Sequence, residues 1–220
     1  MKNNLDMILN GSVLKMIYKL SLPNSVTGIS MVLIVISDAY FISQLGNIPL
    51  ASLALVFPFI TLMQMMSAGA IGGASTSSIS RFLGAGANNK ANSAVYHALL
   101  IGVIMSIIYT MIFGFFPRYI YSLMGGSGKV LEGAVNFSKI AFGGAIFTWL
   151  LFVFSAILRA TGEFVFPAKV QILGCLFQII LAGVLTLGWF GVTSFGIVGP
   201  AIAMVISHFF MTIFLYLYIK

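Results

Sequence analysis

Apolar positions in this chain neither alternate nor fall on one helical stripe; they run in blocks. Six blocks, over about residues 17–43, 50–79, 94–116, 135–158, 167–188 and 196–219, are apolar on nearly every side. A helix needs about 20 mostly apolar residues to cross the hydrocarbon core of a bilayer, and each block is long enough. The segments between them carry turn-forming residues. Leu45, Gly46, Asn47, Ile48 and Pro49 make a tight uncharged turn, and 81–93 holds Gly84, Gly86, Asn88 and Asn89. Residues 117–133 contain Gly125, Gly126, Ser127 and Gly128, while 159–169 holds Gly162 and Pro167. The short 189–195 stretch opens with Trp189, a residue suited to the headgroup interface. The pattern predicts an all-α integral membrane protein with six transmembrane helices. The first block is too long for a signal-peptide core and no small-residue cleavage site follows it, so it reads as a retained span.

Composition agrees. Hydrophobic residues make up 60% of the 220 and charged residues only 7%, against about a quarter charged in a soluble domain. The net charge of +7 would raise nucleic-acid binding in a soluble protein. Here the Lys and Arg residues stand singly between apolar blocks, which fits topology control by the positive-inside rule and excludes a nucleic-acid partner. One side receives Lys2, Lys15, Lys19, Arg81, Lys90, Arg159, Lys169 and Lys220; the other receives Arg118, Lys129 and Lys139. That bias places both termini in the cytoplasm of a multi-pass plasma-membrane protein. The single Cys175 cannot form an intrachain disulfide.

Asp38 is the outlier: a carboxylate inside the first apolar block with no basic residue within four positions. A charge at the centre of a membrane helix costs about 2.5–3.5 kcal/mol on insertion scales, so such residues mark function by default; the plainer reading is a side chain snorkelling to the outer interface. At about 100° per residue, Asn24, Thr27, Met31 and Asp38 share one narrow face, which predicts a stripe turned toward a cavity. Pro23 is placed to bend that helix. An isolated carboxylate in such a cavity suits a group that loads and unloads a proton, whereas sodium needs several oxygen ligands. In the second block Met63, Gln64, Met65 and Met66 precede a run of small residues. That run reads first as close helix packing and second as an adaptable, methionine-lined substrate cavity. Gln178, His208 and His97 are the other polar groups in apolar surroundings. Glu163 near Arg159 reads as a solvated ion pair. Gly126-Ser127-Gly128-Lys129 lacks the rest of a phosphate-loop pattern, and no metal-ligand spacing or paired carboxylate is present, so an enzyme is not expected.

Several stretches together resemble the multidrug and toxic compound extrusion (MATE) family. Ser37-Asp38-Ala39-Tyr40-Phe41 leading into Leu45-Gly46 is similar to that family's first-helix end, and Leu53 to Pro58 to the start of its second helix. Gly72-Gly73-Ala74-Ser75 through Ser80-Arg81-Phe82-Leu83-Gly84 resembles the second-helix exit. Leu158-Arg159-Ala160-Thr161-Gly162-Glu163 resembles the fourth-helix exit, and Gly196-Ile197-Val198-Gly199-Pro200-Ala201 the sixth-helix entry. The resemblance implies one lobe, the N-terminal one, of a two-lobe exporter that exchanges small amphipathic, often cationic, organic compounds for a coupling ion. It assigns 1–220 to that lobe and makes Asp38 the coupling residue with Gln178 its companion. Asn24, Thr27, Met31 and Gln64 would line the substrate cavity. No cofactor is implied beyond the coupling ion. Where relatives carry oxygen-bearing residues near the acid, this chain has Gln178, Ala182, Met204 and Phe137, so a proton is expected, with sodium the alternative. The expected partners are organic substrates, the lipid bilayer and a second six-helix lobe or a second copy. The rival readings are a lipid-linked precursor flippase, which calls for a strongly cationic cavity where only Lys139 stands deep in a helix, and a truncated membrane partner that does not transport.

Overall fold

The computed structural model describes the backbone of residues 12–220 and the side chains from Ser25 onward. Among the described residues every regular element is helical. Helix α1 covers Val13–Ser43 and remains helical through Pro23. Helix α2, Asn47–Gln64, runs through a π-helical segment, Met65–Ile71, into α3, Gly72–Gly84. Helix α4 is Asn88–Phe115, α5 is Pro117–Leu123, α6 is Gly128–Gly143 and α7 is Ala145–Ala160. Helix α8, Val165–Leu187, and α9, Gly199–Ile219, complete the bundle. Five of these runs are long and apolar enough to cross a membrane, and α6 with α7, bent by 46°, makes a sixth.

The bend is the main departure from the sequence pattern, which predicts one uninterrupted span over 135–158. It falls at Gly143 and Gly144, where a side chain on Gly144 would collide with Val205 of α9. A break inside a membrane frees backbone groups that lipid cannot satisfy. Thr110 of α4 donates to the Phe142 carbonyl at 2.7 Å and Thr212 of α9 to the Phe147 carbonyl at 2.9 Å, so flanking helices pin the bend. The π-helical turn is supported likewise, by Ser67 Oγ donating to the Met63 carbonyl at 2.8 Å. The segment after α4, expected as a loop, holds α5, whose Pro117 sits in the first turn, where a missing N–H costs nothing. Tyr121 of α5 is fully buried and shares a hydrogen bond with Ser138 of α6; burial pushes its phenol up to about 12, so it stays protonated as an anchor.

The bent α6–α7 pair is central, packing on α2, α3, α4 and α9. Its core is aromatic: Phe113 stacks on Phe142 with ring centroids 4.0 Å apart, and Tyr109, Trp149 and Tyr121 surround them. Helix α8 lies between α9 and α1, and α1 returns to touch α2. At the end of α8, Gly188 takes a left-handed conformation (φ 77°) and Trp189 packs edge-on against Phe41 of α1, centroids 5.4 Å apart. Large aliphatic side chains such as Ile104, Ile107 and Met111 on α4 and Leu173 and Ile180 on α8 are exposed, the arrangement lipid favours.

Candidate functional site

Where α1, α2, α8 and α9 converge on α6 and α7, they enclose a cavity of about 350 Å³. Its walls are mostly apolar, as in small-molecule sites generally. Asp38 and Met31 of α1, Gln64 of α2, Gln171 and Gln178 of α8 and His208 of α9 supply most of its polar or polarizable lining. Asp38 therefore faces protein rather than snorkelling to the interface, as α1 packs chiefly on α8. The two helices are also tied by Cys175, whose thiol donates to the Ser30 carbonyl at 3.3 Å.

Two buried oxygens in this cavity are unsatisfied. Asp38 Oδ1 and Gln178 Oε1 have no hydrogen-bond partner among the described residues. A buried polar atom left unpaired costs about 1–3 kcal/mol, so two acceptors on one cavity call for a donor that comes and goes. His208 is nearly inaccessible, and its Nδ1 is 2.8 Å from the Thr148 hydroxyl. Phe137 and Met204 line the cavity with carbon and sulfur, while Ala182 packs with Phe41 and Ala203 beside it.

A second cavity, of about 580 Å³, adjoins the first and shares Met31, Phe152 and Gln171 with it. Thr27 lines this second one, together with Thr76 and Ser77 of α3 and Arg159 at the last turn of α7. The polar stripe on α1 thus spans both cavities: Thr27 on one, Asp38 on the other and Met31 on the boundary. Asn24 lies outside the residues whose side chains are described.

Other residues fall elsewhere. Met63 is packed in the aromatic core, Met65 is exposed, and Met66 accepts from the Tyr109 hydroxyl at 3.4 Å. That segment packs helices, and the methionines that do line the cavity are Met31 and Met204. His97 is exposed, and Lys139 is exposed too, not deep. Glu163 and Arg159 form no ion pair: one Glu163 carboxylate oxygen instead accepts from the backbone N–H groups of Val165 (3.1 Å) and Phe166 (2.9 Å), opening α8. Two lining residues were missed. Gln171 stands seven positions before Gln178, two turns up the same face, a spacing that could have flagged it. Arg159, read as an ordinary membrane-edge cation, carries no local signal of its place.

The chain is similar to known proteins in sequence and fold. The sequence model of the MatE family matches residues 23–184. The chain is 30% identical to the probable multidrug resistance protein YoeA of Bacillus subtilis, over 80% of this chain and 38% of that protein. It is 28% identical to the FAD transporter of Shewanella oneidensis, over 91% of this chain and 44% of that protein. A crystal structure of a MATE point mutant superposes with a TM-score of 0.87 at 25% identity, covering 96% of this chain and 46% of that one. The chain thus spans less than half the length of each of these proteins.

Proposed function

The chain belongs to the MatE family of multi-pass membrane transporters, and on that premise we propose that it is one lobe of a proton-coupled antiporter moving small amphipathic organic compounds outward. The observation that carries this reading is the pair of unsatisfied acceptors, Asp38 Oδ1 and Gln178 Oε1, on one largely apolar cavity. A proton on the Asp38 carboxyl converts an acceptor into a donor and removes the charge. An organic ammonium offers N–H donors to the same oxygens. Proton and substrate then compete for one site, which is the requirement for exchange: each is released when the other binds. Met31 and Gln64 shape the cavity wall, and Thr27 continues it toward the Arg159 end. Alternating access rocks one repeat against another around a central site, so a second lobe, or a second copy, supplies the facing wall.

The wall chemistry supports a proton as the coupling ion. Sodium must trade its water shell for several hard oxygens, and Phe137, Met204 and Ala182 put carbon or sulfur where oxygens would be needed. Export of organic compounds leads over flipping of a pyrophosphate-linked lipid because Arg159 is the one cation among the described residues lining either cavity. The Lys and Arg asymmetry orients the lobe with the Arg159 end cytoplasmic. The test is efflux of a fluorescent organic cation from vesicles holding the whole transporter, driven by a pH step. Asp38→Asn should abolish the pH-driven component while the protein stays folded, and added sodium at fixed pH should leave wild-type flux unchanged. Normal coupled flux in the variant would remove Asp38 from the mechanism, and sodium-driven flux would replace the proton. No flux from the whole wild-type protein would favour a membrane partner that does not transport.

A further inference from the structure

The second cavity has a chemistry opposite to the first. Among the described residues, Arg159 is the only charged side chain on its wall and no acidic residue lines it. The guanidinium makes no ion pair and no hydrogen bond with the described residues, and the nearest acid in sequence, Glu163, commits one carboxylate oxygen to two backbone N–H groups of α8. Around Arg159 stand neutral groups able to donate, the Ser77 hydroxyl of α3 and the Gln171 amide of α8, while the Thr76 hydroxyl already donates to the Gly72 and Ala156 carbonyls. A guanidinium offers five N–H donors in a planar fork that matches a phosphate or carboxylate edge. Arg159 is only partly buried, at the last turn of α7, so its fork can take up an anion from water.

The two cavities share Met31, Phe152 and Gln171 as lining residues. On α1, Asp38 lines the first and Gly28 the second, roughly 15 Å apart at 1.5 Å per residue. A molecule reaching from one cavity to the other along this path passes those shared residues, with an acid on one side and a cation on the other.

We propose that the Arg159 cavity is an anion subsite, binding the phosphate or carboxylate group of an organic substrate whose apolar body lies along the path toward Asp38. This rests on the transport reading given above and narrows its substrate class: compounds carrying an anionic group fit this chain, not organic cations alone. Arg159 and Ser77 hold the anion, Gln171 sits at the junction, and Phe152 contacts the body.

Equilibrium binding tests this without any gradient, so its result does not depend on whether Asp38 couples flux. The full-length protein in phosphatidylcholine nanodiscs is titrated with 1-naphthyl phosphate and with 1-naphthol, which share a ring system and differ in the anion. Wild type should bind the phosphate at least about tenfold more tightly, as expected for charge-assisted hydrogen bonds. Arg159→Gln should bring the two affinities together by weakening the phosphate alone. Arg159→Lys should retain part of the preference, and Ser77→Ala should lose several-fold for the phosphate only. Equal wild-type affinities would overturn the proposal even if Arg159→Gln failed to fold, and so would an unchanged preference in a folded Arg159→Gln. Loss of the wild-type preference when phosphatidylglycerol is added to the nanodiscs would identify a lipid headgroup as the occupant and overturn the substrate assignment.

Discussion

Asp38→Asn should make the protein more stable while making it inactive, and the size of the gain can be worked from the site. In the ionised wild type, Asp38 Oδ1 is buried without a partner and Gln178 Oε1 on the same cavity is in the same condition. Each unsatisfied buried acceptor costs about 1–3 kcal/mol, and a charge held at membrane depth adds about 2.5–3.5 kcal/mol on insertion scales. The cavity's polar lining returns part of that. Asparagine keeps the shape, removes the charge and adds two N–H donors for the unpaired oxygens. A net gain of about 1–3 kcal/mol follows, and for a chain of this size each kcal/mol moves the melting temperature by about 2–4 °C. The sign with pH is fixed. At alkaline pH the wild-type carboxylate is ionised and penalised, so the variant's advantage is largest there. As pH falls the carboxyl takes up a proton, gains its own donor and loses its charge, and the advantage closes.

The assay is thermal unfolding of both proteins in one detergent, from about pH 5 to about pH 9. Asp38→Asn melting below wild type throughout, or a difference that does not vary with pH, would show that the carboxylate is not isolated in the cavity. A stability gain with loss of coupled flux is the pattern expected of a residue kept for function at the expense of the fold.

Two further outcomes concern the scaffold and its orientation. Gly144→Ala should destabilise by about 1–3 kcal/mol through overpacking against Val205, whereas Gly143→Ala next to it, with open space around its added carbon, should stay within about 0.5 kcal/mol; thermal unfolding of the two side by side decides it. In a background without Cys175, single cysteines at Asn47 and Ser127 should react with an impermeant thiol reagent on intact cells and one at Asn89 only after permeabilisation, and the reverse pattern would invert the topology.

What could be read along the chain, and what could not, divides by where the cost of a residue falls. The apolar blocks were legible because lipid sets a minimum length that each must meet on its own. Asp38 and Gln178 were legible because a polar group within an apolar run is expensive whatever surrounds it. The bend between α6 and α7 was not, because two glycines in a membrane helix are ordinary. What makes them a corner is Val205 of α9 in the space beside Gly144, with Thr110 and Thr212 donating to the Phe142 and Phe147 carbonyls on either side of it from 32 and 65 positions away. Helix α5 was hidden for the same reason: its anchor, the Tyr121 bond to Ser138, joins it to a different element. Arg159 was hidden more deeply. A cation at the end of a span is what the positive-inside rule produces everywhere, so its type and position carried no surprise. Only the folding of α3 and α8 around α7 turns that ordinary residue into the single charge among the described residues that line a cavity. The same folding sets Asp38 and Arg159, on different helices and of opposite sign, on two cavities that share lining residues. A substrate that satisfies both must carry complementary groups at a separation set by the packed helices, written in neither residue's neighbourhood.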